Sequence, residues 1–117
     1  MGSVRGQIFV RVKGGAELPV RGEALFLAPI IKTDEGIEVA AVLNRLGNPQ
    51  ATTDENGNFW FYNIPAGRYG LVFDLIPQAF LLNRPPKGDS LVIEVTAGKV
   101  TDVGRLVYDE FPVIPTP

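Results

Sequence analysis

The chain has 117 residues, 45% of them hydrophobic and 21% charged, with 11 Lys+Arg against 13 Asp+Glu and with no Cys and no His. That is one domain's length of chain, able to bury a core without disulfide or metal staples. Its charge is too sparse and too balanced for disorder, and no basic excess is present to meet a phosphate backbone, so nucleic acid is not an expected partner. With no imidazole and no thiolate, Ser-His-Asp and Cys-His catalysis are excluded, as are the zinc, haem and iron–sulfur sites that need those ligands.

The longest nearly apolar stretch, Leu25 to Ile31, falls far short of the roughly 20 residues of a membrane-spanning helix. Membrane insertion by this segment is therefore not expected. Met1-Gly2 suggests N-myristoylation, but Gly6 stands where that signal wants Ser or Thr. Met1-Gly2-Ser3 reads as a cloning remnant, with no apolar run of a signal peptide after it. Such a remnant is compatible with an export signal having been cut away.

Val4 to Val12 alternates. Val4, Gly6, Ile8, Val10 and Val12 share one face, and Arg5, Gln7, Phe9 and Arg11 share the other, which predicts a half-buried strand. Lys13-Gly14-Gly15 marks a turn, and Leu18 to Gly22 leads into a strand over Glu23 to Ile31, whose inward face the pattern leaves open. Residues 37–43 mix helix-favouring Ala and Leu with β-branched residues and are read as a strand in their all-β surroundings. Leu46 to Gln50 is expected to be loop.

Asp54-Glu55-Asn56-Gly57 is the strongest local signal, a predicted hairpin turn with positive φ at Asn-Gly. The return strand, Asn58 to Tyr62, places Phe59 and Phe61 on one face and Trp60 and Tyr62 on the other. After the Ile64 to Gly67 turn, Arg68 to Ile76 alternates again, with Tyr69, Leu71, Phe73 and Leu75 on one face. Residues 77–89 form a long predicted connection that holds the apolar run Ala79 to Leu82. Strands follow at Ser90 to Thr96 and Val103 to Tyr108, and the tail from Phe111 carries three prolines. Short strands with regular turn signals and no convincing long helix predict an antiparallel sandwich.

Several residues together resemble a known family. Val4-x-Gly6-x-Ile8 is followed by Leu18-Pro19-Val20-Arg21-Gly22. The longest and most specific part is Thr53-Asp54-x-Asn56-Gly57-x-Phe59-x-Phe61-x-Asn63-Ile64-Pro65-Ala66-Gly67-x-Tyr69-x-Leu71. Val95-x-Ala97-Gly98-x-Val100 and Gly104-x-Leu106 complete it. Over residues 4–108 the chain resembles the carboxypeptidase regulatory-like domain, a transthyretin-like (prealbumin-like) β-sandwich related to B-type repeats of bacterial adhesins. The resemblance implies an all-β, seven-stranded Greek-key antiparallel β-sandwich over residues 1–110, with 111–117 as a Pro-rich tail or linker. It also implies an extracytoplasmic, non-catalytic accessory or structural role.

The motif itself is folding chemistry. Gly57 lets the chain reverse, Phe59 and Phe61 enter the core, and Tyr69 and Leu71 return to it. Asp54, Asn56 and Asn58 have the alternate oxygen spacing of a calcium loop, but Gly57 is the fourth position counted from Asp54 and Pro65 the twelfth. An EF-hand wants Gly at the sixth and Glu at the twelfth. The turn reading is preferred, and no metal or cofactor is expected. An adhesin-type isopeptide bond needs a desolvated Lys on the first strand, whereas Lys13 lies at its end; Asp102 and Asp109 flank the last strand. The acid pairs Glu35/Glu38 and Asp109/Glu110 read as solvated charges rather than as a glycosidase pair. Arg5, Arg11 and Arg105 are read as strand-face charges that guard edges rather than as an anion site.

Trp60 and Tyr62 are the candidate contact residues, because an outward aromatic pair stacks on a sugar ring or anchors a protein. The expectation is that the 77–89 connection, with Phe80, Leu81 and Leu82, folds over them. Otherwise Trp60, Tyr62, Phe80 and Leu81 would form one exposed apolar patch and interaction site. The sequence thus predicts a non-enzymatic structural module that contacts a protein partner or adjacent domain. A polysaccharide-binding module is the alternative.

Overall fold

The computed structural model of the chain describes residues 1–40, 43–74, 79–83 and 91–109. Ten strands and no helix occur among them. They are β1 (Gly2–Arg11), β2 (Glu17–Pro19), β3 (Ala24–Lys32), β4 (Glu38–Ala40), β5 (Gln50–Thr52), β6 (Asn58–Ile64), β7 (Gly67–Asp74), β8 (Ala79–Leu81), β9 (Val92–Val95) and β10 (Val100–Tyr108). The strands form two sheets. In the four-stranded sheet β1 is central, with β10 along one side and β6 and β2 sharing the other. In the six-stranded sheet β3 and β7 pair at the centre, flanked by β4 and β5 beyond β3 and by β8 and β9 beyond β7.

The inward positions of both sheets meet in one core. Val4, Ile8, Val10, Phe59, Phe61 and Leu106 from the first sheet pack with Leu25, Leu27, Leu71, Phe73 and Ile93 from the second. The period-two pattern is thus expressed as burial on β1, β6 and β9, whereas β7 is buried on both faces from Tyr69 to Asp74. Two tyrosine hydroxyls tie the ends. Tyr69 Oη donates to the Pro65 carbonyl at 2.8 Å, and Tyr108 Oη donates from β10 to the Asn83 carbonyl at 2.7 Å.

The architecture departs from the seven antiparallel strands expected. β2, β5 and β8 lie in segments read as lead-in or loop, and each is three residues long, too short for alternation to register. Among the described residues the 37–43 run contributes Glu38–Ala40 to a strand; residues 41–42 lie outside them, as does all of the 111–117 tail. β1 and β10 run parallel. Local patterns do not encode the direction of a partner nearly a hundred residues away. Pro19 on β2 is at a sheet margin, where a missing N–H costs no ladder bond.

The Asp54–Gly57 turn also differs from a simple hairpin. β5 belongs to the six-stranded sheet and β6 to the four-stranded one, so the turn carries the chain between sheets. Gly57 N–H donates to the Asp54 carbonyl at 3.1 Å, and Asp54 N–H to the Asn58 carbonyl at 2.9 Å. Only Gly57 of the pair has positive φ, at 76°. A Cβ added there would lie 2.5 Å from the Ile8 carbonyl oxygen. Gly98 has nearly the same φ, 75°, with nothing within 4 Å of such a Cβ. Gly57→Ala is therefore expected to cost about 2–3 kcal/mol, from strained backbone plus a displaced neighbour. Gly98→Ala should cost only the backbone part, about 1 kcal/mol. Equal losses in urea unfolding of the two variants would rule out the close approach at β1 as the cause.

The face of β3 that the sequence leaves open is resolved by burial on both sides. Leu25 and Leu27 face the main core. Phe26 and Ala28, with Val72 of β7, form a second cluster on the outer face, against which Ala24, Ala40 and Leu43 pack. The Leu43–Pro49 loop closes on itself there, with Asn44 N–H on Asn48 Oδ1 at 2.8 Å and Asn48 N–H on the Asn44 carbonyl at 2.8 Å. Arg45 from this loop grips the buried Asp74 through two bonds of 2.7 and 2.8 Å.

Candidate functional site

The outer face of the four-stranded sheet carries the site. Because β1 is central, its outward residues Arg5 and Gln7 are each flanked by one residue of β6 and one of β10. Arg5 lies between Trp60 and Asp102, and Gln7 between Asn58 and Arg105. The β1–β10 register shifts between Arg5 and Gln7, and the Gly104 N–H in that bulge donates to Asp102 Oδ1 at 2.8 Å. A local bulge of this kind re-aims side chains on a sheet face. Here it leaves an open groove of about 640 Å³, lined by Arg5, Gln7, Asn58, Trp60, Asp102 and Arg105, with Thr52 and Asp54 from the β5–β6 connection.

Trp60 and Tyr62 are adjacent on β6, with ring centroids 5.4 Å apart and planes inclined by 32°. Tyr62 is 66% exposed, while Trp60 is half-buried. The Arg5 guanidinium carbon is 5.3 Å from the Trp60 ring centroid, within cation–π range. The buried Trp60 Nε1–H has no acceptor among the described residues. Farther along β1, the Arg105 guanidinium lies 4.1 Å over the Phe9 ring.

The charges around the groove are paired. Arg5 Nε contacts Asp102 Oδ2 at 3.1 Å, and Arg105 contacts Glu17 at 2.9 Å. Asp54 Oδ1 accepts the backbone N–H of Asn56 and of Asn58, at 2.8 and 2.9 Å, and Oδ2 accepts Asn58 Nδ2 at 3.1 Å. These bonds, the Asn58 backbone N–H foremost, hold the Asp54 carboxyl below the usual carboxylate range. The Gly104 N–H, with help from Arg5, does the same for Asp102. Both Asp54 carboxylate oxygens are thus engaged in turning the chain.

The structure brings Trp60 and Tyr62 together and separates them from Phe80 and Leu81. β8 pairs with β7 in the other sheet, with Phe80 opposite Phe73. Phe80 packs on the main core, Leu82 is buried in it, and Leu81 remains 43% exposed. The expected single patch is not assembled, and residues 79–83 do not cover Trp60. Residues 77–78 and 84–89 of that connection lie outside the described residues. Alternation assigns a residue to a face of its strand but not to a sheet, and the main core offered Phe80 and Leu82 more burial. Arg5, Gln7, Asn58 and Asp102 were not legible as site residues. Their only signal is that they occupy the polar phase of three alternating strands whose mutual order the sequence hides.

Lys13 is exposed past the end of β1, in water rather than in the apolar surroundings that an isopeptide bond needs. Glu38, on β4, pairs with Arg68, and Asp109 pairs with Arg11 at 3.0 Å. Glu110 lies outside the described residues. No helix among the described residues is long and apolar enough to cross a membrane.

Two solved structures share this fold. One is a protein of Pseudomonas aeruginosa described as a "putative carbohydrate binding protein", 20% identical with a TM-score of 0.58, the match covering 91% of this chain and 87% of that one. The other is BcpA, the major pilin subunit of Bacillus cereus, 14% identical with a TM-score of 0.52 over 94% of this chain. The common ground is the β-sandwich. This chain spans only 30% of the length of the pilin chain. No family model matches the chain, and no curated protein matches it significantly.

Proposed function

We propose that this chain is a non-enzymatic β-sandwich module of an exported or envelope-attached protein, and that it binds carbohydrate on the outer face of β6, β1 and β10. The observation that carries the reading is the outward-facing Trp60–Tyr62 pair, with Tyr62 exposed and Trp60 half-buried, beside a groove lined by planar hydrogen-bonding side chains. A pyranose presents C–H faces, which aromatic rings cover, and equatorial hydroxyls, which amide, carboxylate and guanidinium groups bind as donors and acceptors together. The likeness to a protein described as carbohydrate-binding supports the same direction. So does the resemblance to carboxypeptidase regulatory-like domains, with their transthyretin-like Greek-key sandwich and accessory roles.

The carboxylates at the groove favour binding over hydrolysis. Glycoside cleavage needs one carboxyl kept protonated as general acid. Asp54 and Asp102 are both held ionised by hydrogen bonds. A second reading, a structural module acting only through protein contacts, is supported by the likeness to a pilin subunit in which the matched part is one piece of a longer chain.

Electrophoresis through gels containing soluble polysaccharides separates the two. Retardation of the chain by at least one polysaccharide is expected. Tyr62→Ala should weaken it about tenfold and Trp60→Ala by at least as much, as the loss of one stacking surface requires. Tyr62 is largely exposed, so its variant tests binding without disturbing the core. Free migration in every polysaccharide would leave the structural-module reading.

A further inference from the structure

We infer that the glycan taken by this groove is a neutral one, and that the site discriminates against uronates, sialylated chains and other anionic saccharides. This rests on the carbohydrate reading above and sharpens it. The cations that would recognise an acidic sugar are present but committed. Arg5 is held by Asp102 and lies against Trp60; Arg105 is held by Glu17 and lies over Phe9. Among the groove-lining residues two arginines face two aspartates, so the formal charge is zero, and Glu17 adjoins with a further negative charge. An entering carboxylate would have to draw Arg5 from Asp102 or Arg105 from Glu17. Either exchange trades one ion pair for another and leaves an aspartate or glutamate facing an anion, which repels it.

The groups left over suit hydroxyls. Gln7, whose amide carries both a donor and an acceptor, lines the groove. Asn58 gives its Nδ2 to Asp54 and keeps its Oδ1. A sugar hydroxyl is donor and acceptor at once and serves such a mixed set without a charge of its own. Both aspartates are held below the usual carboxylate range and the chain has no His. The charge pattern therefore stays constant from weakly acidic to neutral pH.

The test is the fluorescence of Trp60, the sole Trp, titrated in the intact chain with neutral and anionic polysaccharides. The neutral probes are a β-glucan, a mannan and a galactan; the anionic ones are polygalacturonate, alginate and a sialylated oligosaccharide. A saturable change with at least one neutral glycan is expected. Its affinity should hold within about twofold between about 0.02 M and about 0.5 M salt, because no ion pair is made that salt could screen. It should likewise be flat from about pH 5 to about pH 8. The anionic probes should give no response. Asp102→Asn releases Arg5 and should admit polygalacturonate in a salt-sensitive manner, a gain that mere damage to the fold cannot produce. Preference for an anionic glycan by tenfold or more, weakening with salt, would overturn the inference while leaving the carbohydrate reading intact. Silence toward every glycan, neutral or anionic, together with free migration in gels, would overturn the carbohydrate reading and this inference with it.

Discussion

Phe61→Ala is expected to destabilise the sandwich by about 3–5 kcal/mol, whereas Tyr62→Ala, one residue along the same strand, should cost less than about 1 kcal/mol. The two side chains have similar carbon content and opposite fates. Phe61 is 1% exposed and meets Phe59 edge-to-face with ring centroids 6.0 Å apart. Its removal leaves a cavity walled by both sheets, and a sandwich core relaxes only partly to fill one. Tyr62 is 66% exposed and packs against the Trp60 ring at its edge of the sheet face. Urea unfolding of both variants measures the contrast. The register of β6 against β1, with Val4 opposite Phe61 and Arg5 opposite Trp60, decides the outcome. A one-residue slip would exchange the two results, so a costly Tyr62→Ala with a mild Phe61→Ala would refute the register and the site built on it.

The same pair shows what a sequence of this kind reveals. Phe59, Phe61, Trp60 and Tyr62 alternate within one strand, and a strand's two faces are fixed by covalent geometry. Burial of the first two and projection of the others were therefore legible. So were the inward faces of β1 and β9, Val4-Ile8-Val10 and Ile93-Val95. What lies beside Trp60 was not legible. Arg5 is 55 positions away in the chain and Asp102 is 42, and neither carries a mark that distinguishes it from a solvated strand charge. They converge because β1 pairs with β6 on one side and with β10 on the other. That order is set by total burial over the whole fold rather than by any local window. Phe80 and Leu81 failed for the complementary reason. An apolar run in a connection must be buried, but its composition does not say against which sheet.

The second outer-face cluster yields the other large expected effect. Arg45→Ala should cost about 2–4 kcal/mol, because it strips the fork from a carboxylate that cannot reach bulk water on its own. The Asp74 side chain is 1% exposed while that of Arg45 is 39% exposed, so the pair is a lid pinned from outside onto a buried anchor. Two parallel bonds of 2.7 and 2.8 Å make this a bidentate contact, and Arg45→Lys should recover only part of the loss because an ammonium lacks the planar fork. The consequence reaches beyond the pair. Leu43 packs on Phe26, Ala28 and Val72 from the same loop, and Pro49 ends that loop by accepting the Leu27 N–H at 3.0 Å. Without Arg45 the Leu43–Pro49 loop retains its internal Asn44–Asn48 bonds and the Leu43 packing but loses its ion-pair fastening to β7. It should then open locally before the sandwich unfolds. Limited proteolysis should therefore cut the variant within residues 43–49 under conditions that spare the wild type, and hydrogen exchange at the Leu27 amide should accelerate. A variant that unfolds earlier in urea, yet shows neither sign of local opening, would mean that Arg45 supports Asp74 without holding the loop. The candidate site on the outer face of β6, β1 and β10 should keep its Trp60 fluorescence in the Arg45→Ala chain, because the Arg45–Asp74 pair joins the Leu43–Pro49 loop to β7 of the other sheet.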